Sequence, residues 1–290
     1  MPITSAKPTT TPIPVQLSAS AFTQFILPHL SMPKRGPKCT RGSHRVCTLI
    51  VWVLDTGMQW TCLPVPQDTH GKPAIHDTTV YTVFAQWADA GSLWQACVAS
   101  VQHLAEQDQL DLRILPGDGT NPVAKKGGDG IGSAGHKHQR GEKGIAIIAK
   151  NGSVVAPLPV APVHTADTVW LPQGLKALKR VVKLTGLQLD GAALNLDGGF
   201  DSARNRKALF HAGMIPNLTE NPRNRKAPKR GRKRLVNEAI HALRERVERT
   251  FAWEDKCKRF LLRFESIQQR HYGLKVMAYT LINLRRFCLP

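Results

Sequence analysis

The dipeptide Asn151-Gly152 sits between two β-rich runs, Ile145 to Ala149 and Val154 to Val163. Asn-Gly supplies the two positive-φ positions of a tight hairpin turn, so these runs are expected to pair antiparallel. Pro157, Pro159 and Pro162 restrict the second run to a short strand or an edge position. Around the hairpin the apolar pattern changes period several times. Leu110, Leu112, Ile114 and Leu115 read as a strand ending at Asp118, and Pro172 to Leu184 as a helix closed by Gly186. Ala192 to Leu196 is a short buried strand that stops at Asp197. Ser202 to His211 is a helix before Gly213, and Met214 to Leu218 a strand. A long helix from Leu235 to about Trp253 follows, then helical sequence to Phe287. Strand, hairpin, helix, strand, helix, strand, long helix is an α/β order: a mixed sheet flanked by helices.

The preceding part reads differently. Residues 1–20 are rich in Thr, Pro and Ser and lack the apolar stretch of a secretory signal, so a flexible leader is expected. Residues 21–110 read as helical. Phe22, Phe25, Ile26 and Leu30 recur at helical spacing, and Ser43 is placed to cap a helix that ends at Gly57. Thr78 to Ala90 and Ser92 to Glu106 form two more, broken at Gly91. Trp52, Trp60, Trp87 and Trp94 read as core. Short helices with basic connectors such as Lys34, Arg35, Lys38, Arg41 and Arg45 suit a helix-turn-helix-like DNA-binding domain. The expected organisation is a leader (1–20), a helical domain (21–110) and an α/β domain (111–290).

Charge narrows the partner. The 290 residues carry 40 Lys+Arg against 21 Asp+Glu, a formal net of +19. Residues 1–203 hold 18 basic and 14 acidic side chains, and residues 204–290 hold 22 and 7, so the nets are +4 and +15. Asn221 to Arg234 has eight basic residues in fourteen and no acid. Its prolines and glycine oppose a regular helix, which leaves a loop suited to gripping phosphates. Arg223, Arg225, Lys226, Lys229, Arg230, Arg232, Lys233 and Arg234 are its candidate contacts. Lys125 and Lys126 belong to a second, glycine-rich basic stretch. The longest apolar run, Cys47 to Leu54, is far short of the roughly 20 residues a membrane span needs. With 42% hydrophobic residues, the chain is not wholly disordered. None of the six cysteines forms a CxxC pair, so reduced structural thiols in a cytoplasmic protein are expected, ahead of a zinc site at Cys39, His44 and Cys47. Gly130, Gly132 and Gly135 match GxGxxG, but no helix is expected after them, and a nucleotide-binding reading fails.

Acids at strand ends are the chemically informative groups. Asp118-Gly119 and Asp197-Gly198-Gly199 each follow an apolar run, and neighbouring strands would expose both carboxylates at one edge. Two such carboxylates need a cation between them, and oxygen ligands suit Mg²⁺ or Mn²⁺. A third acid would come from the long helix, whose apolar stripe is Val236, Ile240, Leu243, Val247 and Phe251. Glu238 and Glu245 point away from that stripe. Glu248 and Glu254 both lie beside it, and periodicity does not choose between them. Arg244 is one turn before Glu248.

Leu196-Asp197-Gly198-Gly199-Phe200-Asp201-Ser202 resembles the second-aspartate motif of bacterial insertion-sequence transposases, the IS-five-like branch of the DDE superfamily. Arg244 to Trp253, RERVERTFAW, resembles their glutamate motif, and Asp118-Gly119-Thr120 is similar to the first-aspartate motif. Leu49 to Trp60 also resembles their N-terminal domain. The resemblance implies an RNase H-like fold with catalytic, metal-holding Asp118, Asp197 and Glu248. It implies two Mg²⁺ ions, for which Mn²⁺ substitutes, and phosphate contact by Arg244, with Arg249 beside it. Implied partners are double-stranded DNA, as transposon ends and target, and a second copy of the chain in the synaptic complex. The implied setting is the bacterial cytoplasm, at the nucleoid. Two positions depart from the pattern: Asp255 stands where a basic residue is common, with Lys256 one later, and His241 replaces an aromatic. A catalytically silent, transposon-derived DNA-binding protein is the alternative expectation.

Overall fold

A computed structural model describes residues 13–14, 16–32, 42–67, 69–135, 138–157, 160–220 and 236–288. Residues 1–12 of the expected leader, and the basic stretch with Arg223, Arg225, Lys226, Lys229, Arg230, Arg232, Lys233 and Arg234, lie outside the described residues. The helices are α1 (Ala19–Phe25), α2 (Ser43–Thr56), α3 (Asp77–Asp89), α4 (Ser92–Glu106), α5 (Asp167–Thr185), α6 (Ala203–Phe210), α7 (Glu238–Ala242), α8 (Glu245–Glu254) and α9 (Gln268–Leu284). The strands are β1 (Ile114–Thr120), β2 (Gly132–Ala134), β3 (Gln139–Ile148), β4 (Val154–Pro157), β5 (Ala161–Pro162), β6 (Ala193–Leu196) and β7 (Ile215–Leu218).

The strands form one mixed sheet of order β2-β3-β1-β6-β7, with β4 and β5 also paired to β3. β1, β4 and β5 run antiparallel to β3, while β1, β6 and β7 are mutually parallel. The hairpin forms, but only Gly152 takes a positive φ: Asn151 does not, and the loop closes over Lys150–Gly152 in place of a two-residue turn. Gly152 takes a φ of +85°, which a side chain would resist, and Ala149 N–H donates to Ser153 C=O at 2.8 Å.

β3 is buried on both faces, and its residues alternate between two cores. Ile145 and Ile147 pack with Leu115, Leu194, Leu196 and the buried residues of α5. Ala146, Ile148 and Val154 pack with Val247, α9 and the apolar faces of α1–α4. Burying each of those isoleucines contributes roughly 1.5–3 kcal/mol. The four N-terminal helices therefore share a core with the last helix and one face of the sheet. Gly91 (φ +72°) separates α3 from α4 where the sequence places the break.

Several boundaries differ from the sequence reading. β1 starts at Ile114 and does not stop at Asp118, because Asp118, Gly119 and Thr120 pair with Ala146, Ile145 and Gly144. β3 begins six residues before Ile145, at Gln139, in polar and glycine-containing sequence that gives no apolar signal. Ser43 does not cap α2: its hydroxyl donates to Met32 Sδ, and Gly42 stands at the cap. α5 begins at Asp167 and holds Pro172 inside it. Proline cannot donate to the carbonyl four residues back, Thr168. Buried Asn205 of α6 donates to that carbonyl instead, at 3.0 Å, which leaves it satisfied.

The long helix is two helices. α7 ends at Ala242 and α8 starts at Glu245, with Leu243 and Arg244 between them still in right-handed helical conformation, although no Pro or Gly marks the break. Only Val247 of the expected stripe is fully buried, joined by Thr250, Trp253 and Glu254. Glu238 and Glu245 are exposed as expected. Glu254 is held by Lys275 Nζ at 2.8 Å and Tyr279 O–H at 2.8 Å, both from α9.

A second buried ionic group ties α9 to β3. Arg263, wholly buried, donates to Glu142 Oε2 at 2.7 Å, to Asp129 Oδ1 at 3.0 Å and to Glu265 C=O at 2.8 Å. His271 Nε2 lies 2.8 Å from Glu142 Oε1, and Glu265 pairs with Arg259 at 2.6 Å. Burial alone would lower the His271 pKa, but the flanking Glu142 and Glu265 carboxylates reverse this and raise it. Burial opposes the charge on Glu142 and Glu265 too. The facing His271, Arg263 and Arg259 prevail and hold both carboxyls below the ordinary range.

Candidate functional site

Parallel pairing of β1 and β6 matches Pro116 with Asn195. Two residues further along each chain stand Asp118 and Asp197, so register alone delivers both carboxylates to one edge and one face of the sheet. The strand-end reading holds in this respect. Asp118 opposite Ala146 faces the core shared with α8 and α9.

Backbone N–H groups fix one oxygen of each acid. Asp118 Oδ1 accepts from Gly119 N–H at 2.8 Å, and Asp197 Oδ1 accepts from Gly199 N–H at 2.8 Å. The second oxygens converge on one cation. Arg244 Nη1 is 3.8 Å from Asp118 Oδ2 and 3.6 Å from Asp197 Oδ2. Burial raises the Asp118 pKa above the ordinary aspartate value, and the carboxylates of Asp197 and Asp167 add to the rise. Gly119 N–H and Arg244 act in the opposite direction.

The motif around Asp197 is also a structural device. Asp197 caps the short turn Gly198–Phe200, and Phe200 is buried. Asp201 pairs with Arg206 at 2.7 Å, and Ser202 caps α6 by accepting from Asn205 N–H. A Cβ on Gly199 would lie 2.9 Å from Asp197 Oδ1 and 3.1 Å from Asp167 Oδ2, so only glycine keeps this approach open. Asp167 is itself held by Lys143 Nζ at 2.7 Å.

Three asparagines place Arg244. Asn195 and Asn217 are register partners on β6 and β7, and Asn217 Nδ2 donates to Asn195 Oδ1 at 3.1 Å. Asn195 Nδ2 donates to Ile240 C=O at 2.7 Å, and Asn217 Oδ1 accepts from Asn237 N–H at 2.9 Å. Asn237 then caps α7 by accepting from Ile240 N–H. The ladder fixes α7 against the strand that ends at Asp197, and α7 leads directly into Arg244. Asn195, Asn217, Asp167 and Lys143 were not among the sequence candidates. For Asn195 and Asn217 the available signal was a single polar residue inside an apolar run; Asp167 and Lys143 lie in polar sequence that gives none.

Glu248 is exposed on α8 and does not join the two aspartates. Among the described residues no group of three His, Cys, Asp or Glu side chains is close enough to hold a metal ion. Lys125, Lys126 and Arg249 are exposed. Of the zinc candidates, Cys47 is buried and free, and His44 Nε2 lies 2.7 Å from Leu17 C=O. No helix among the described residues is long and apolar enough to cross a membrane. No family model, curated protein or solved structure matches this chain.

Proposed function

We propose that the protein is a DNA transposase of the DDE type, which cuts transposon ends by metal-dependent hydrolysis and joins the 3′-hydroxyl ends to target DNA. The observation that carries this reading is the pairing of Asp118 and Asp197 on adjacent parallel strands, with both Oδ2 atoms turned to one cationic nitrogen. The connected order β4-β3-β1-β6-β7, antiparallel on one side of β1 and parallel on the other, supports the RNase H-like part of the reading.

The donor set fits a hard divalent cation: two hydrogen-bonded carboxylates, each with one oxygen still directed at a positive charge. Asp118 and Asp197 would hold Mg²⁺ or Mn²⁺, and Glu248, exposed on α8 and apart from them, is the third ligand that the resemblance implies. When bound, the metal supplies an activated oxygen nucleophile and neutralises charge on the leaving oxygen. The chain's own contribution is positioning. The asparagine ladder sets Arg244 at the acids, where a guanidinium contacts a DNA phosphate. The net of +15 after residue 203 supplies sequence-independent grip on the duplex. The helical N-terminal part would read the transposon ends as a helix-turn-helix-like unit, and synapsis would use two copies of the chain.

The separation of Glu248 from the aspartates favours the second reading, a silent DNA-binding descendant of a transposase. One experiment divides the two. Asp118→Asn, Asp197→Asn and Glu248→Gln are expected to abolish Mg²⁺-dependent cleavage of a plasmid that carries the DNA flanking the gene, with DNA affinity retained. Absence of cleavage by the unaltered protein would favour the silent reading. Retained cleavage in one variant would remove that residue from the site.

A further inference from the structure

We propose that Arg244 and a divalent cation are alternative occupants of the space between Asp118 and Asp197, so that Arg244 sets the metal affinity of the pair. The inference rests on the reading of these acids as the ion site. Each carboxylate has one oxygen committed to a backbone N–H, Gly119 for Asp118 and Gly199 for Asp197. The remaining Oδ2 atoms are the ones an ion would take, and Arg244 Nη1 already stands between them at 3.8 and 3.6 Å. A magnesium ion binds oxygen at about 2.0–2.1 Å and tolerates little distortion, so it requires those same oxygens and excludes the guanidinium. Two positive charges in one small gap repel each other as well.

The guanidinium is placed to leave. Both separations exceed a normal hydrogen bond, and the Arg244 side chain is 28% exposed. Arg244 stands at the break between α7 and α8, and its backbone is set by the asparagine ladder, so the side chain swings without unfolding a helix. A loosely held arginine balances two neighbouring carboxylates in the metal-free protein and cedes them to an ion.

Mn²⁺ binding to the full chain without DNA, read from the free-ion EPR signal, tests this directly. Arg244→Gln is expected to bind Mn²⁺ at least tenfold more tightly than the unaltered protein. Arg244→Lys, which keeps the charge, is expected to stay within about threefold of it. Adding Asp118→Asn to Arg244→Gln should abolish the gain. Equal affinity in the unaltered protein and Arg244→Gln, lost with Asp118→Asn, would overturn the exchange and leave the ion site standing. Binding that ignores Asp118→Asn in every background would overturn the ion site itself, and the exchange with it. Circular dichroism melts of each variant confirm that it is folded, and Arg244→Met, which also removes the charge, carries the test should Arg244→Gln fail to fold: unchanged Mn²⁺ affinity in it would refute the proposal.

Discussion

Replacing Glu142 by Gln removes one negative charge and leaves the shape almost unchanged, which isolates the electrostatics of the buried ionic group. Glu142 is wholly buried and faces two cationic partners, Arg263 at 2.7 Å and His271 at 2.8 Å. Arg263 is equally buried and, among the described residues, has only Asp129, itself 61% exposed, as a further carboxylate partner. Losing one member of a buried pair costs about 3–5 kcal/mol, because the remaining charge stays desolvated. At about 2.1 cal/mol/K per residue, the unfolding entropy of a 290-residue chain is about 0.6 kcal/mol/K, so the melting midpoint should fall by about 5–8 °C. The imidazole offers partial relief, since it can shed a proton once its partner is neutral. The loss should therefore be smaller near pH 8 than near pH 6. Scanning calorimetry at both pH values measures this. Adding Arg263→Met should restore part of the midpoint, since a neutral pair leaves no orphan charge. A shift under about 1 °C at both pH values would refute the reasoning, because such a group would then be solvated in practice.

Three further outcomes follow from other residues. His271 has a raised folded pKa, so its ion pairs add stability that is fully present below 6.5 and lost as pH rises through the folded value. Glu142 and Glu265 have depressed values, so theirs is present above 4.5 and lost on acidification. Urea midpoints should peak between these limits, and His271→Gln should flatten the alkaline side; an unchanged alkaline slope would assign the loss elsewhere. Gly117→Ala would place a Cβ 2.7 Å from Leu196 Cδ2 and 3.3 Å from Ala146 C=O, so a cost of about 1–3 kcal/mol is expected, and an unaltered melt would show that the strands yield freely. Neutralising Arg230, Arg232, Lys233 and Arg234 should reduce the log–log salt slope of DNA affinity by up to about four, whereas an unchanged slope would make that stretch a bystander.

The two aspartates were legible because each lies where an apolar run meets glycine, and parallel register does the rest. The position of the hairpin was legible for a similar reason, since Asn151-Gly152 marks the turn locally, although only Gly152 adopts a positive φ. The break before α8 was not legible, since Leu243 and Arg244 carry no helix-breaking chemistry and tertiary contacts, the asparagine bonds among them, determine the end of α7. Glu254 lies beside the stripe as the periodicity places it, but its partners Lys275 and Tyr279, on a helix that begins fourteen residues later, were not legible. Pro172 was read as a helix start for want of its remote compensation, Asn205, thirty-three residues later. Local signals identified the acids, while long-range polar contacts decided how they are held.

The shared core of α1–α4 and α9 has a consequence for how the chain is made. α4 ends at residue 106 and α9 begins at residue 268, yet the two pack side by side, with Asn283 bonding both Ser100 and Val154. During synthesis α1–α4 emerge well before α9, and although they pack on one another, the faces that α9 covers stay open until it follows. Their burial waits on a contact of very large sequence separation, which slows folding and prolongs exposure of sticky surface. A chain cut before α9 would lack this contact and is expected to expose the apolar surface that α9 covers on α3 and α4.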